Sequence, residues 1–491
     1  MTPGVKKGVT TLESGVDPAL VRLADAILIP PFPGTTAPQW ILEALGRGLA
    51  GVTLFGHNVL GDTSALTSSL RAAADAEPVI AIDEEGGDVT RVAYVDGSPY
   101  PGNAALGAVD DVGLTRAVYA AIGADLALLG INLNLAPCAD VLGGGDSPAI
   151  GTRSFGSDTA LVARHTAAAV TGLQAAGLAA CAKHFPGHGS TGTDSHHAIA
   201  TISGTLDDVR RRDLPPFSAA INAGAAAVMP GHLRVPDLTG DLPASLSAAA
   251  ITGLLRGELG FAGVVISDAL EMKATSDTFG IPSAAVRAVA AGMDLLCLGR
   301  DTDFEMYLAV RAALAVAVAS GELPGARLEE AAARVTGLRS RLGAPAAAAE
   351  RHSDGIGLTA ARRAIRLSGL RSGGPDLIRP LIVEVEPREN MAAGRFGWGL
   401  GPWAPVRRVD SADVDLPGLL ADAADRSLVV VVRDAIHARV LLTDVLAARP
   451  DTILVEMGIP IWAPPAGTAY LATYGASRAS SQAAAELLGL A

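Results

Sequence analysis

LAACAKHFPGHGSTGTDSHH (residues 178–197) begins as an apolar run of strand length and ends in a loop crowded with histidine, glycine and hydroxyl side chains. Its first part is apolar at successive positions, not alternate ones, as a strand reads when a parallel sheet is covered on both faces. Seven other stretches share that character: ADAILIP (24–30), GVTLF (51–55), PVIAID (78–83), INLNLAP (131–137), AAAVMPGH (225–232), GVVISD (263–268) and MDLLCLG (293–299). Ala- and Leu-rich helical patterns lie between them, such as LTRAVYAAIGADLALLG (114–130) and TALVARHTAAAVTGLQAAG (159–177). Eight βα units in about 340 residues predict an α/β fold with an N-terminal (β/α)₈ barrel of the TIM type; an open doubly wound sheet is the alternative.

The polar residues fall just after the strands: DEEGGD after the third, KHFPGHGSTGTDSHH after the fifth, GH after the sixth and Asp268 after the seventh. In a barrel these positions converge on one rim, where the active sites of this fold lie. A linker, LGAPAAAAERHSDGIG (342–357), and a helix, LTAARRAIRLSGL (358–370), follow. LIRPLIVEVE (377–386), SLVVVVRD (427–434), DTILVEMG (451–458) and TAYLATYG (468–475) then read as strands of a smaller α/β sandwich domain. The division expected is a barrel over 1–341, a linker and helix over 342–375 and a second domain over 376–491. GRFGWGLG (394–401) has GxG spacing but no tight strand-to-helix turn, so it reads as an ordinary loop and not as a nucleotide site. Trp398, Trp403 and Trp462 fit core positions better than a sugar subsite.

Composition narrows the function. The 491 residues carry 51 acidic and 38 basic side chains, a formal charge of −13, and nucleic acid is excluded as a partner because phosphate neutralisation needs concentrated Lys and Arg. No stretch of about 18 apolar residues is present to cross a membrane, and the opening segment has no apolar run of the kind a signal peptide needs. Cys138, Cys181 and Cys297 lie in apolar runs, give no disulfide framework and read as core. A cytoplasmic protein is the expectation.

Four of the nine histidines fall between His184 and His197. A polar loop whose histidines cap helices is the plain reading; the sharper one is a site. His184, His188, His196 and His232 could supply imidazoles to a metal, but Lys183 adjoins the cluster and no metal-ligand spacing sits on a helix, so none is assigned. Asp194 and His196, two residues apart, can pair so that the carboxylate fixes the imidazole tautomer and the pair moves protons near neutral pH; Asp194 as a helix N-cap is compatible with the same letters. Asp268 and Asp83 each end an apolar strand, suiting electrostatic or nucleophilic duty as well as an N-cap. Gly86 and Gly87 would let a ligand approach the backbone. Arg91 and Arg153 fit either a hydroxyl or anion clamp or a surface ion pair.

KHFPGHG…DSH, with IDEEGGxVxR, RSFGSD, VMPGH and SDALEM, resembles glycoside hydrolase family 3 in its β-N-acetylglucosaminidase branch over roughly residues 10–340. TYGASRASSQAAAELL resembles the second domain of that branch's two-domain members. The resemblance implies a retaining exo-β-N-acetylglucosaminidase acting on short soluble glycans or cell-wall muropeptide fragments, needing no cofactor. Asp268 would be the nucleophile, His196 the acid/base and Asp194 its dyad partner. Asp83, Arg91, Arg153, Lys183 and His184 would hold the sugar's hydroxyls, and GSTGT would let the dyad approach bound substrate. An imidazole does not repel an anion as a carboxylate does, so inorganic phosphate is a second conceivable acceptor beside water. A β-glucosidase or β-xylosidase of the same family, and a catalytically silent sugar-binding protein, are the rival readings. One departure stands out: Asp88 occupies a position where cell-wall recycling members typically carry Arg, which puts the aglycone in question.

Overall fold

The computed structural model describes residues 17–491 except 144–146, 192–198, 203, 344–354, 371–373, 389–391 and 394–398. In the first domain the strands are β1 (Leu28–Ile29), β2 (Gly51–Leu54), β3 (Val79–Ile82), β4 (Leu133–Asn134), β5 (Ala179–Phe185), β6 (Ala200–Thr201), β7 (Ala227–Pro230), β8 (Leu233–Arg234), β9 (Val264–Val265) and β10 (Leu296–Cys297). A curled parallel sheet runs β2-β3-β4-β5-β7-β9, and β1 pairs in parallel with β10. Ala50 and Thr53 donate to the carbonyls of Asp25 and Pro30 on one side, and Ile266 bridges Leu295 on the other, so the ring closes. All eight apolar runs became its strands. β6 and β8 form a separate pair at the rim, beyond residues 192–198.

The run of apolar side chains along each strand exists because both faces are covered: every residue of β2, β3 and β5 is buried. The three thiols, free and buried, are part of the same interior. At the rim opposite the polar loops, Asp294 accepts from the Val265 N–H at 2.9 Å and from Arg256 and Arg327 at 2.5 and 2.6 Å. That carboxylate ties the start of β10 to the flanking helices. Among the described residues no single helix is long and apolar enough to cross a membrane.

The second domain holds β11 (Arg366–Ser368), β12 (Leu381–Val385), β13 (Val406–Val409), β14 (Leu428–Val432), β15 (Ile453–Glu456) and β16 (Ala469–Ala472) in the order β11-β16-β15-β14-β12-β13. All pairs are parallel except β11 with β16. One apolar cluster covers each face of the sheet; Trp462 packs on one and Trp403 on the other, while Trp398 lies outside the described residues. The helix expected over 358–370 runs only over Ile356–Ala364, and the chain after it extends into β11. At the end of the glycine run, the Leu400 and Gly401 N–H groups donate to the buried Glu384 carboxylate at 2.7 and 3.3 Å, a loop wrapped around an acid.

Candidate active site

Each strand ends in apolar contact with the barrel core, and the residue that follows must find polar company at the rim. Past β3 stand Asp83 and Glu85; β5 brings Lys183 and His184 in its own last turn; past β4 come Cys138 and Asp140; the 3₁₀ turn Gly151–Arg153 presents Arg153. Glu85 is the hub. One of its oxygens accepts from Lys183 Nζ at 2.8 Å and Arg153 Nη2 at 2.7 Å, and the other from Arg153 Nε at 2.9 Å. Lys183 Nζ also donates to Asp83 at 2.5 Å. The Lys183 and Glu85 side chains are 3% and 2% exposed against 22% for Asp83, so Asp83 is the member open to the rim.

Burial by itself would raise the Glu85 pKa, but Arg153 and Lys183 overcome it and hold the carboxyl well below the usual range. Burial likewise works against a charged Lys183, and Asp83 and Glu85 outweigh it, so the ammonium is held charged. The two cations and two carboxylates form one fixed array of charged hydrogen-bonding groups. Geometry of this kind suits a planar, directional grip on vicinal hydroxyls.

His184 joins the array from the side. Its Nε2 lies 3.3 Å from Arg153 Nη2, which can only donate, so Nε2 accepts and the proton sits on Nδ1, donated to Asp140 at 2.8 Å. Asp140 also accepts from the His184 and His188 N–H groups at 3.2 and 2.6 Å and from the Cys138 thiol at 3.0 Å. Burial pushes the Asp140 pKa up, and His184 and His188 bring it well below the carboxylate range. Burial drops His188 to about 4. Cys138, Asp140 and His184 bring their ligand atoms within 4.8 Å of one another, but the thiol and imidazole protons are both already given to Asp140.

Asp268 follows β9 and is partly exposed; the Ala269 N–H donates to its Oδ1 at 2.8 Å. His232 steadies that turn, donating from Nε2 to the Ala269 carbonyl at 3.0 Å while its Nδ1 meets Ser245 at 2.7 Å. Burial pushes the Cys297 thiol up to about 12 and raises Cys181 as well; the charges of Asp83 and Asp268 act on both in the same direction.

Asp83, Arg153, Lys183 and His184 are thus gathered, with Asp268 at the same rim. Asp194, His196 and the end of GSTGT lie outside the described residues. Arg91 makes no bond to that array among the described residues; its Nη2 donates to the Ala392 carbonyl of the second domain at 2.9 Å, so it ties the two domains together. Gly86 and Gly87 pack against the chain itself: a Cβ on Gly86 would stand 3.4 Å from the Ile122 and Tyr100 side chains. Gly87, at φ +60°, passes so near Gly102 that a Cβ would stand 2.7 Å from its Cα, and the Gly87 N–H donates to the Tyr100 carbonyl. Asp88, 5% exposed, accepts from Arg433 at 2.5 Å, from the Ala476 N–H at 2.9 Å and from Thr152 at 2.7 Å. The acidic residue at this position is an anchor for the second domain. Asp140 and the hub role of Glu85 were not foreseen; the signal for Asp140 was its place after the fourth strand, where the rim rule applies as it does after the third.

Residues 36–338 match the family described as Glycosyl hydrolase family 3 N terminal domain. The chain is 33% identical to Beta-hexosaminidase A of Pseudoalteromonas piscicida over 336 residues, 63% of this chain and 56% of that protein's length. It is 39% identical to a Beta-hexosaminidase of Stenotrophomonas maltophilia over 255 residues, 50% of this chain and 75% of the other. A glycoside hydrolase family 3 beta-N-acetylglucosaminidase from Paenibacillus sp. superposes with a TM-score of 0.85 at 31% identity, over 96% of this chain and 97% of its own. Both domains are therefore matched together, in the same arrangement. The chain belongs to glycosyl hydrolase family 3, in its β-N-acetylhexosaminidase branch.

Proposed function

We propose that the chain is a retaining exo-β-N-acetylglucosaminidase that removes terminal β-linked N-acetylglucosamine from short soluble glycans or muropeptide fragments. The observation that carries this reading is the Asp83–Lys183–Glu85–Arg153–His184 array at the barrel rim where the partly exposed Asp268 follows β9. In the first step Asp268 attacks the anomeric carbon and the glycosidic bond breaks, with His196, steadied by Asp194, giving its proton to the departing oxygen. The positive charge that develops on the ring is stabilised by the carboxylate beside it. In the second step His196 takes a proton from water as that water attacks the glycosyl ester, releasing the sugar with retained configuration and restoring Asp268. Asp83, Lys183, Arg153 and His184 hold hydroxyls throughout; a hydroxyl that takes His184 Nε2 replaces its 3.3 Å contact with Arg153, while the rest of the array stays in place. Three buried free thiols fit a cytoplasmic setting.

Comparison of nitrophenyl N-acetyl-β-glucosaminide with the corresponding glucoside tests the assignment. Preference for the acetamido sugar is expected, and faster glucoside turnover would overturn it. Phosphate as acceptor is the second reading, since a neutral imidazole leaves the water site open to an anion; release of N-acetylglucosamine 1-phosphate in phosphate buffer would establish it.

A further inference from the structure

Three acids follow β3 in succession, and only two of them meet Lys183. Neighbouring side chains of a chain coming off a strand point to opposite sides, so the first and third share a face. Lys183 Nζ donates to Asp83 at 2.5 Å and lies 2.8 Å from Glu85. Glu84, between them, is 4% exposed and bonds elsewhere. Its Oε2 alone accepts three bonds: from the Thr90 hydroxyl at 2.9 Å, the Arg91 N–H at 2.8 Å and the Val92 N–H at 3.0 Å. The Glu85 N–H donates to the Val89 carbonyl at 3.0 Å, so the chain turns back on itself over 85–89. Glu84 staples the returning limb of that turn to the outgoing one.

The main chain of Glu84 is held as well. Pairing between β3 and β4 runs as far as the Leu135 N–H, which donates to the Ile82 carbonyl at 2.8 Å. Beyond it the buried Asn134 side chain takes the place of a strand neighbour. The Glu84 N–H donates to Asn134 Oδ1 at 3.0 Å, and Asn134 Nδ2 donates to the Glu84 carbonyl at 2.8 Å. With its N–H, carbonyl and carboxyl all engaged, Glu84 cannot turn without carrying Asp83 and Glu85 with it. Burial raises its carboxyl to about 7 against the pull of the three donors. Near neutral pH the position therefore supplies an acceptor oxygen and not a fixed charge.

We infer that Glu84, seated on Asn134, is a positioning residue for the sugar site: it sets how Asp83 and Glu85 meet Lys183, and through them the grip on the substrate's hydroxyls, without touching the sugar itself. The inference rests on the array's proposed role in holding the sugar, and its test keeps the two apart. The vicinal hydroxyls of N-acetylglucosamine are those on C3 and C4. The readout is the ratio of kcat/KM for nitrophenyl N-acetyl-β-glucosaminide to that for its 4-deoxy analogue, which reports the grip on one hydroxyl and cancels any loss of folded enzyme. In wild type the ratio should be about tenfold or more, the scale of a hydrogen bond to charged groups. Glu84→Ala takes the acceptor from three donors, and the ratio should fall about fivefold or more; Glu84→Gln restores the acceptor oxygen and should keep it within about twofold of wild type. Thr90→Val removes one of the three bonds and keeps the side chain's shape; it should lower the ratio about threefold, and it decides alone if Glu84→Ala does not fold. An unchanged ratio in the Ala and Val variants would overturn the positioning role and leave the glycosidase reading standing. A fall in Glu84→Gln equal to that in Glu84→Ala would also overturn it, because charge and not the staple would then act on the site. A wild-type ratio of about one would overturn the array's grip and the positioning role together. A wild type that hydrolyses neither glycoside would remove the glycosidase reading; calorimetric titration of N-acetylglucosamine and its 4-deoxy analogue into the same proteins then gives the ratio as affinities, read by the same limits.

Discussion

Replacing Glu85 by Gln keeps the shape of the hub and removes its charge. Lys183 and Arg153 are both almost fully buried, and Glu85 is the acid they share; Lys183 retains Asp83, but Arg153 pairs with no other carboxylate among the described residues. Removing one partner of a buried pair costs about 3–5 kcal/mol, because the remaining charge is left in a poor dielectric. That is a large part of the roughly 5–15 kcal/mol by which domains are stable. Thermal unfolding of the variant should therefore begin roughly 5–10 °C lower. The KM for nitrophenyl N-acetyl-β-glucosaminide should rise at the same time, since Lys183 and Arg153 lose their common reference point. The pH dependence carries the sign of the shift. The Glu85 carboxyl is harder to protonate folded than unfolded, so its stabilisation is complete above the ordinary carboxylate range and drains away as acid drives the proton on. The wild type should lose more stability than E85Q on acidification below about pH 4. A melting temperature within about 2 °C of wild type together with an unchanged KM would refute the hub.

Asp268→Ala should reduce turnover by several orders of magnitude with an unchanged melting temperature; substantial residual activity would remove it from the nucleophile's place. His196→Ala should slow glycosides with poor leaving groups far more than activated aryl glycosides, and equal losses would mean that it is not the acid. Asp88→Ala removes an acceptor that Arg433 and the Ala476 N–H share, so calorimetry should split into two transitions, or limited proteolysis should cleave between the domains faster than in wild type. His188 is lowered from the usual 6.5 to about 4, so its neutral form stabilises the fold fully above pH 6.5 and that contribution is lost as pH falls toward 4. His188→Gln should flatten stability over that window, as denaturant midpoints would report.

The barrel was legible because buried parallel strands print their burial directly as unbroken apolar runs, and all eight were found that way. Two strands of the second domain were not. β13 reads VRRV, with Arg407 and Arg408 exposed, and β11 reads RLS with every residue exposed; edge strands pair on one side only and carry no apolar signature. In the site, Asp83, Lys183 and His184 were legible from their places at strand ends. The domain contacts of Asp88 and Arg91 were not legible, because their partners there, Arg433 and Ala392, are more than 300 residues away and nothing local marks a domain anchor. Glu85 was passed over beside Asp83 since adjacent acids after one strand look alike until the fold shows which of them faces Arg153.

The central claim is a covalent ester on Asp268. Incubation with a 5-fluoro-N-acetylglucosaminyl fluoride, followed by intact mass and peptide mapping, tests it most directly. One sugar per chain, on the peptide that contains Asp268 and absent from Asp268→Ala protein, is the predicted result. Labelling at another residue, or steady turnover of the reagent with no trapped adduct, would contradict the account.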